Sequence, residues 1–310
     1  MSSSVAPTPA QRASAARAFV GTSVAWGLVF YLTKLSVRDL TPLGTGFGRC
    51  ACGALTLGLL ARWRGRSLPR GARVWAHLWV VGLLASVIPG VLVPLAETRV
   101  TSALAGIAAG MIPLATLLFL VTVFRDERVH SHQLAGLAVG FAGIVLVTGV
   151  WRGTGTAPGW ALAALGGVLL SYGAAFPYIK RFVIPHGIDP LSLAATQQLL
   201  SAITLLPLFL LDGWHTSTHL ATSVVATVVL GVAGGGFAFM WNFEVVAVWG
   251  SSTASTVEYT AALVAVAAGV VLLHESVQWN QMAGGVIVLI GALIGWGQIP
   301  SLRRASPTSH

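Results

Sequence analysis

The sequence predicts an all-α membrane protein whose ten transmembrane helices form two inverted five-helix repeats. Three observations lead to this prediction. Of the 310 residues, 55% are hydrophobic and only 9% are charged, which is too few charges for the surface of a soluble domain of this length. Apolar runs of about 20 residues, long enough to cross a hydrocarbon core of about 30 Å, recur along the chain. The second half of the sequence also repeats the first.

Ten apolar segments are visible, and short turns join almost all of them, which leaves no room for a soluble domain. They are expected at residues 18–35, 41–61, 74–96, 101–124, 133–151, 158–180, 189–211, 220–244, 251–273 and 279–298. We expect residues 18–151 to form the first repeat and residues 158–298 the second. Residues 1–17 are expected to be a disordered cytoplasmic tail, because no cleavage site of a signal peptide follows the first apolar stretch. Residues 299–310 form the other tail.

The basic residues predict that both termini lie in the cytoplasm. With that orientation, 13 of the 18 Lys and Arg residues lie in cytoplasmic segments and 4 lie on the other side. Membrane proteins place Lys and Arg on the cytoplasmic side in this way. The densest block, "ARWRGRSLPRGAR", lies between the second and third segments. The net charge of +9 is therefore an orientation signal, and we expect no nucleic acid partner.

An internal repeat joins the two halves of the chain. The segment "RDERVHSHQLAGLAVGFAGIVLV" (125–147) aligns with "LHESVQWNQMAGGVIVLIGALIG" (273–295), and Glu127 falls on Glu275 at a shift of 148. Five segments per copy is an odd number, so the copies must cross the membrane in opposite orientations. Inverted repeats are typical of secondary transporters, whose substrate site lies near the middle of the membrane between the two halves.

A second alignment carries a resemblance to a known family. The segment "WGLVFYLTK" (26–34) meets "YGAAFPYIK" (172–180), which places Gly27 on Gly173. Paired units that open with "WG…K" and close with "E…QLAG…G" resemble the EamA-type transporters of the drug/metabolite transporter (DMT) superfamily, from about residue 18 to 298. The matching features are Trp26, Gly27, Lys34, Arg49, Pro113, Glu127, Glu275 and the glycines of the last helices. The resemblance implies ten helices around a central cavity, alternating access, and outward movement of small metabolites such as amino acids.

Buried charges break the match between the two repeats. The shift of 148 places Gln197 on Arg49 and Glu258 on Gly110. The two halves therefore match in the residues of the repeated motifs and differ at positions where a charge lies inside a segment. A charge at membrane depth costs about 3 kcal/mol on insertion scales, and such residues mark functional sites. We therefore place Arg49, Gln197 and Glu258 among the candidate substrate-binding residues.

Glu258 is expected to face the interior of the helix bundle. The residues three, four and seven positions away are small, which suits a neighbouring helix or space for a ligand better than lipid. They are Ser251, Ala254, Ser255, Ala261, Ala262 and Ala265. The carboxylate is predicted to contact a cationic group of the cargo or to carry a proton. The structural alternative is an ion pair with Arg49 or a hydrogen bond to Tyr172 or Asn242.

Aromatic and polar residues complete the list of candidates. In "GGGFAFMWNFE", Trp241 and Glu244 lie three residues apart on one helix face, with Asn242 beside them. An aromatic ring next to a carboxylate can hold an amino group by cation–π and ionic contact. The alternative is a position at the membrane boundary, where Trp is enriched. Trp26 and Tyr172 match across the repeat, and they are predicted to line a shared cavity or to pack in the core.

The sequence predicts no enzyme, because no reactive constellation is visible, and we expect neither a metal nor a cofactor. The predicted function is transport of a small metabolite, such as an amino acid or a related amphipathic compound, across the cytoplasmic membrane. Its partners are the cargo and the lipid bilayer, with protons as a candidate coupling ion. A nucleotide-sugar or sugar-phosphate antiporter of a sister family is the alternative. Such cargo would need several buried basic residues, and only Arg49 lies well inside a segment.

Overall fold

The protein is described by a computed structural model over residues 8–125, 131–148, 157–212 and 220–295. Glu127, one of the matching features of the repeat, lies outside these ranges. Within them the secondary structure is helical and contains no β-strand. Seven helices of the described part are long and apolar enough to cross a membrane, and two shorter apolar helices span Val257–Leu273 and Met282–Gly291. The all-helical membrane architecture predicted from composition is therefore confirmed.

The first half of the chain contributes seven α-helices to the described part. They are α1 (Pro9–Ser36), α2 (Pro42–Trp63), α3 (Ala72–Gly82), α4 (Ile88–Glu97), α5 (Ser102–Ala109), α6 (Ile112–Phe119) and α7 (Ser131–Thr148). A π-helical turn, Leu83–Val87, joins α3 to α4, and a second, Leu120–Phe124, continues α6. Because π-helical turns keep the chain helical, these pieces form longer rods than the α-helix bounds alone imply.

The second half contributes six α-helices. They are α8 (Gly159–Tyr178), α9 (Pro190–Asp212), α10 (Leu220–Val229), α11 (Ala238–Ser255), α12 (Val257–Leu273) and α13 (Trp279–Gly295). The π-helical turn Ile179–Val183 continues α8, and the π-helical segment Leu230–Phe237 joins α10 to α11. In the part that is described, the ten segments predicted from the sequence are mainly helical, and a turn at Gly110 and Met111 interrupts the segment 101–124.

Helix α1 begins earlier than expected. The Thr8 backbone N–H donates to Oε1 of Gln11 at 2.8 Å, and the Gln11 N–H donates back to the Thr8 hydroxyl at 3.3 Å. This reciprocal pair is a capping box, and Pro9 follows it at the first helical position, where a missing N–H costs nothing. Residues 9–17, which we expected to be disordered, are therefore helical.

Gly250 divides the longest helical stretch. The apolar stretch Leu220–Ser255 runs for 36 residues, but Gly250 has φ 81° and ψ 173°, which is not helical. A side chain disfavours this conformation strongly, and glycine adopts it readily. The chain therefore changes direction at the boundary that the sequence predicts between the segments 220–244 and 251–273.

Helix α1 contacts α5, α10, α11 and α12, while α2 packs along α9 and α7 along α13. Glycine allows two of the closest approaches. A Cβ atom at Gly27 would lie 2.7 Å from the Ala261 carbonyl oxygen on α12. A Cβ atom at Gly173 on α8 would lie 2.6 Å from the Ala115 Cβ on α6. Small residues let membrane helices approach closely in this way.

Candidate functional site

A small buried cavity lies between helices of both halves. It measures about 30 Å³ over the centres of water-sized spheres. By that measure a single water needs roughly 10–15 Å³, so the cavity has room for about two waters. Its lining residues are Trp26, Val29, Phe30, Arg49, Val93, Ala109, Ile112, Val168, Tyr172 and Glu258. The lining is apolar and aromatic except for one cation and one carboxylate.

Arg49 enters the cavity from α2 and is 4% exposed. Its Cζ lies 5.8 Å from the centroid of the Phe239 ring, in a cation–π arrangement. Tyr172 lines the same cavity, and the Arg49 Nε atom has no hydrogen-bond partner. The guanidinium thus lies over an aromatic face, and it keeps unused capacity to donate hydrogen bonds.

The glycines that precede α11 pack closely against the backbone of Arg49. A Cβ atom at Gly235 would lie 2.8 Å from the Arg49 carbonyl oxygen, and one at Gly231 would lie at the same distance from it. The π-helical segment Leu230–Phe237 therefore packs its backbone directly against α2. The Phe239 ring, which follows this segment on α11, lies against the Arg49 guanidinium.

Glu258 lies in the first turn of α12 and is also 4% exposed. A carboxylate near a helix N-terminus is stabilised by the helix dipole. Arg49 and Glu258 interact electrostatically, yet among the residues that the structure describes no salt bridge of 4.0 Å or less joins them. The two charges therefore line one cavity and are not paired with each other.

Trp26 and Tyr172 form an aromatic wall beside these charges. Their ring centroids lie 6.1 Å apart, and Trp26 also meets Phe239 edge to face at 5.4 Å. The Trp26 indole Nε1–H donates to the Gly234 carbonyl at 3.2 Å, which fixes the ring against the glycine-rich segment. Residues that match across the repeat thus meet at one place between the halves.

The other four candidates lie outside this cavity. Gln197 is fully buried and donates from Nε2 to the Ser86 hydroxyl at 3.0 Å, while its Oε1 has no partner. Asn242 is 2% exposed, and its Oδ1 also has no partner. Trp241 is half-buried and packs against α1 near Gly21, and Glu244 is half-buried. The cavity therefore brings together four of the eight candidates: Trp26, Arg49, Tyr172 and Glu258.

Two aromatic residues of this region were not among the candidates. Phe239 is 1% exposed and carries the Arg49 guanidinium, and Phe30 lines the cavity from α1. Phe239 lies three residues before Asn242, so it shares a helix face with a residue that was a candidate. Phe30 aligns with Phe176 across the repeat. Both signals are present in the sequence, although neither distinguishes a wall of the cavity from ordinary core packing.

Comparisons with known proteins agree with the fold. One similar protein is an uncharacterized transporter of Archaeoglobus fulgidus, 25% identical over 279 residues, which cover 87% of this chain and 94% of that protein. The uncharacterized inner membrane transporter YedA of Escherichia coli (strain K12) is 25% identical over 281 residues, covering 89% and 88%. Protein PagO of Salmonella typhimurium is 26% identical over 238 residues, covering 73% and 74%.

A solved crystal structure shares the fold with a TM-score of 0.69 at 20% identity, and the match covers 92% of this chain and 98% of that one. The profile of the EamA-like transporter family matches residues 14–149 and again residues 159–295. The two matches account for nearly all of the described helices. The chain therefore belongs to the EamA-like transporter family.

Proposed function

We propose that this membrane transporter moves an amino acid or a related amphipathic metabolite out of the cell by alternating access. The observation that carries the proposal is the pair Arg49 and Glu258, which line one buried cavity without forming a salt bridge to each other. Two unpaired opposite charges at membrane depth are costly. A ligand that carries both a carboxylate and an ammonium group would offset that cost, because it would pair with both charges.

The cavity chemistry suits an amphipathic zwitterion. Arg49 would bind the cargo carboxylate, and Glu258 would bind its ammonium group. The Trp26 and Tyr172 rings and the aliphatic residues between them would contact an apolar side chain. A sugar phosphate or nucleotide sugar would bring two or more negative charges to a cavity that has one cation and one carboxylate. The lining therefore favours the amino acid over the cargo of the sister families.

We further propose that the helices form ten membrane crossings in two inverted halves. Support comes from contacts that occur twice: α1 packs on α12 as α8 packs on α6, and α1 packs on α11 as α8 packs on α4. Gly27 and Gly173 align across the repeat. Gly27 allows the close approach of α1 to α12, and Gly173 allows that of α8 to α6. An inverted repeat accounts for these equivalences, since each contact recurs on the opposite side of the membrane.

The same arrangement supports the proposed orientation, with both termini in the cytoplasm. The Glu275 carboxylate contacts Ser102, so the loop after α12 and the loop before α5 lie at one end of the bundle. A Cβ atom at Gly250 would lie 3.5 Å from the Lys180 Nζ. The chain just after α8 and the start of the segment 251–273 therefore lie close together. The Lys and Arg distribution then assigns the basic end to the cytoplasm.

We assign four further candidates to a path between the cavity and one side of the membrane: Gln197, Trp241, Asn242 and Glu244. Gln197 and Asn242 each bury a carbonyl oxygen that has no hydrogen-bond partner. Buried polar groups are usually paired, so a moving cargo is a reasonable partner for these two oxygens. Trp241 and Glu244 are only half-buried and would meet the cargo nearer to the mouth.

The test is thermal unfolding of the purified protein in detergent with amino acids, their N-acetyl derivatives, their methyl esters and sugar phosphates. A ligand that binds only the folded state at about 100 times its Kd stabilises it by about 2.7 kcal/mol. We expect stabilisation by amino acids with apolar side chains and a weaker effect of both derivatives. N-acetylation removes the ammonium group, and esterification removes the carboxylate.

The variant Glu258→Gln identifies the group that binds the ammonium. In this variant the amino acid and its N-acetyl derivative should stabilise the protein equally, while wild type should distinguish them. Counterflow of the same amino acid in proteoliposomes should fall to background in Glu258→Gln. Stabilisation by sugar phosphates and not by amino acids would contradict the proposal and favour the antiporter alternative.

A further inference from the structure

A long apolar groove runs along the outside of the bundle between α2 and α9. Its volume is about 550 Å³ over the centres of water-sized spheres. Small residues form its floor, among them Ala51, Gly58 and Ala195. The rims are exposed, since Leu55 is 65% exposed and Ile203 is 55% exposed. In a membrane protein such exposed leucine and isoleucine side chains face the hydrocarbon, so the groove opens to lipid.

The two ends of the groove differ although its walls are related by the repeat. The shift of 148 pairs Leu55 with Ile203, and both line the groove. At the end of α2 the same shift pairs Arg62 with Leu210. Arg62 lines the groove and is exposed. Leu210, near the end of α9, is 69% exposed and does not line the groove. The groove therefore has a cationic end at Arg62, and the residue that matches Arg62 in the repeat is aliphatic and is not part of the lining.

The cationic end is strongly basic and has no acidic residue near it in the sequence. No Asp or Glu occurs between Asp39 and Glu97, whereas five arginines lie within the stretch 62–73. Among the residues that the structure describes, no carboxylate forms a salt bridge with Arg62. The guanidinium is thus available to an anion at the membrane surface.

The length of the groove suits an acyl chain. It extends from Arg62 back to Phe47, which at about 1.5 Å per helical residue is roughly 22 Å. Half of a hydrocarbon core is about 15 Å thick, so a chain that begins at Arg62 can lie in the groove throughout its own leaflet. At the far end Phe47 stacks on Phe209 with ring centroids 4.6 Å apart.

We propose that this groove binds an anionic phospholipid, with one acyl chain between α2 and α9 and the phosphate against Arg62. A second copy of the chain fits the same surface less well. A two-fold pair through this seam with its axis along the membrane normal would bring two arginine-rich stretches together, and like charges repel. The proposal concerns a lipid site on the outer surface of the bundle, and it does not depend on the identity of the cargo.

The experiment counts retained lipid by native mass spectrometry after exchange into phosphatidylglycerol or phosphatidylcholine of equal chain length. The variant Gly58→Phe fills the groove, and a Cβ atom at Gly58 meets no other atom within 4 Å, so the substitution fits without a clash at the backbone. Gly166→Phe on α8 is the matched control, because Gly166 is also free of neighbours within 4 Å and lies outside the groove.

Wild type and Gly166→Phe should retain one phosphatidylglycerol, and Gly58→Phe should lose it. Arg62→Gln should weaken the preference for phosphatidylglycerol by about fivefold, which corresponds to one surface arginine. Arg73→Gln, outside the groove in the same basic stretch, should keep the preference. Equal retention in Gly58→Phe and Gly166→Phe would overturn the proposal. A change from dimer to monomer in Gly58→Phe with unchanged lipid would instead assign the groove to a second copy.

Discussion

The carboxylate of Glu275 accepts two hydrogen bonds from Ser102, one from the backbone N–H at 3.0 Å and one from the hydroxyl at 2.8 Å. A third comes from the N–H of Ala103 at 3.1 Å. These groups lie at the start of α5, so a carboxylate from the loop before α13 caps a helix of the other half. The N–H groups at a helix N-terminus bind anions readily. The glutamate of the repeated "E…QLAG" pattern therefore has a structural role here, in joining the halves.

Glu275→Ala should lower the free energy of unfolding by about 2 kcal/mol, because hydrogen bonds to a charged group contribute about 1.5–3 kcal/mol. Glu275→Gln keeps one carbonyl acceptor, so it should lower the free energy of unfolding by less. Thermal unfolding in detergent measures both. Equal melting of Glu275→Ala and wild type would show that the cap contributes nothing to stability.

Arg49 and Glu258 are expected to be energetically coupled across the cavity. Arg49→Gln leaves a buried carboxylate without its nearby positive charge, which destabilises a protein more than removal of both charges. The double variant Arg49→Gln/Glu258→Gln should therefore be more stable than Arg49→Gln alone. A double-mutant cycle should give a coupling energy of about 1 kcal/mol or more. Strictly additive effects would indicate that the two charges do not interact.

Two glycines of α8 should respond in opposite ways to the same substitution. Gly173→Ala places a Cβ atom 2.6 Å from the Ala115 Cβ and 2.8 Å from its carbonyl carbon, so helices must move apart. Such overpacking costs about 1–3 kcal/mol. Gly166→Ala meets nothing within 4 Å and should stabilise the helix by up to about 1 kcal/mol. Thermal unfolding compares the two, and destabilisation by both would refute the packing argument.

Gly250→Ala should destabilise the protein through backbone strain. The Cβ atom itself would lie 3.5 Å from the Lys180 Nζ, an ordinary contact, so space is not the obstacle. The obstacle is φ 81° with ψ 173°, a conformation that costs a residue with a side chain about 1–3 kcal/mol. A melting temperature equal to that of wild type would mean that the chain straightens at this position without cost.

The rarity of charge made part of the site predictable. Arg49 and Glu258 stood out because few other charges lie inside apolar segments, and the small neighbours of Glu258 indicated that it faces inward. Gln197 aligned with Arg49 yet lies outside the cavity, since its amide bonds to Ser86 and is held there. Alignment between repeats predicts the position of a residue on its helix, but the direction of a side chain depends on local partners.

Other features depend on contacts that have no periodic signal. The start of α1 at Pro9 rests on a capping box between Thr8 and Gln11 in a stretch whose composition resembles a disordered tail. The place of Phe239 beneath the Arg49 guanidinium depends on the close packing of the glycine-rich segment against α2. Sequence periodicity identifies helices, and it does not predict which helices pack most closely.

The cavity of about 30 Å³ has a thermodynamic consequence for any cargo. A molecule larger than a few waters cannot enter this conformation, so it must bind a more open one that is less populated. The apparent Kd then equals the intrinsic Kd divided by the populated fraction of the open conformation. Substitutions that loosen the closed packing should therefore tighten apparent binding while they lower the melting temperature, and affinity and stability should change in opposite directions.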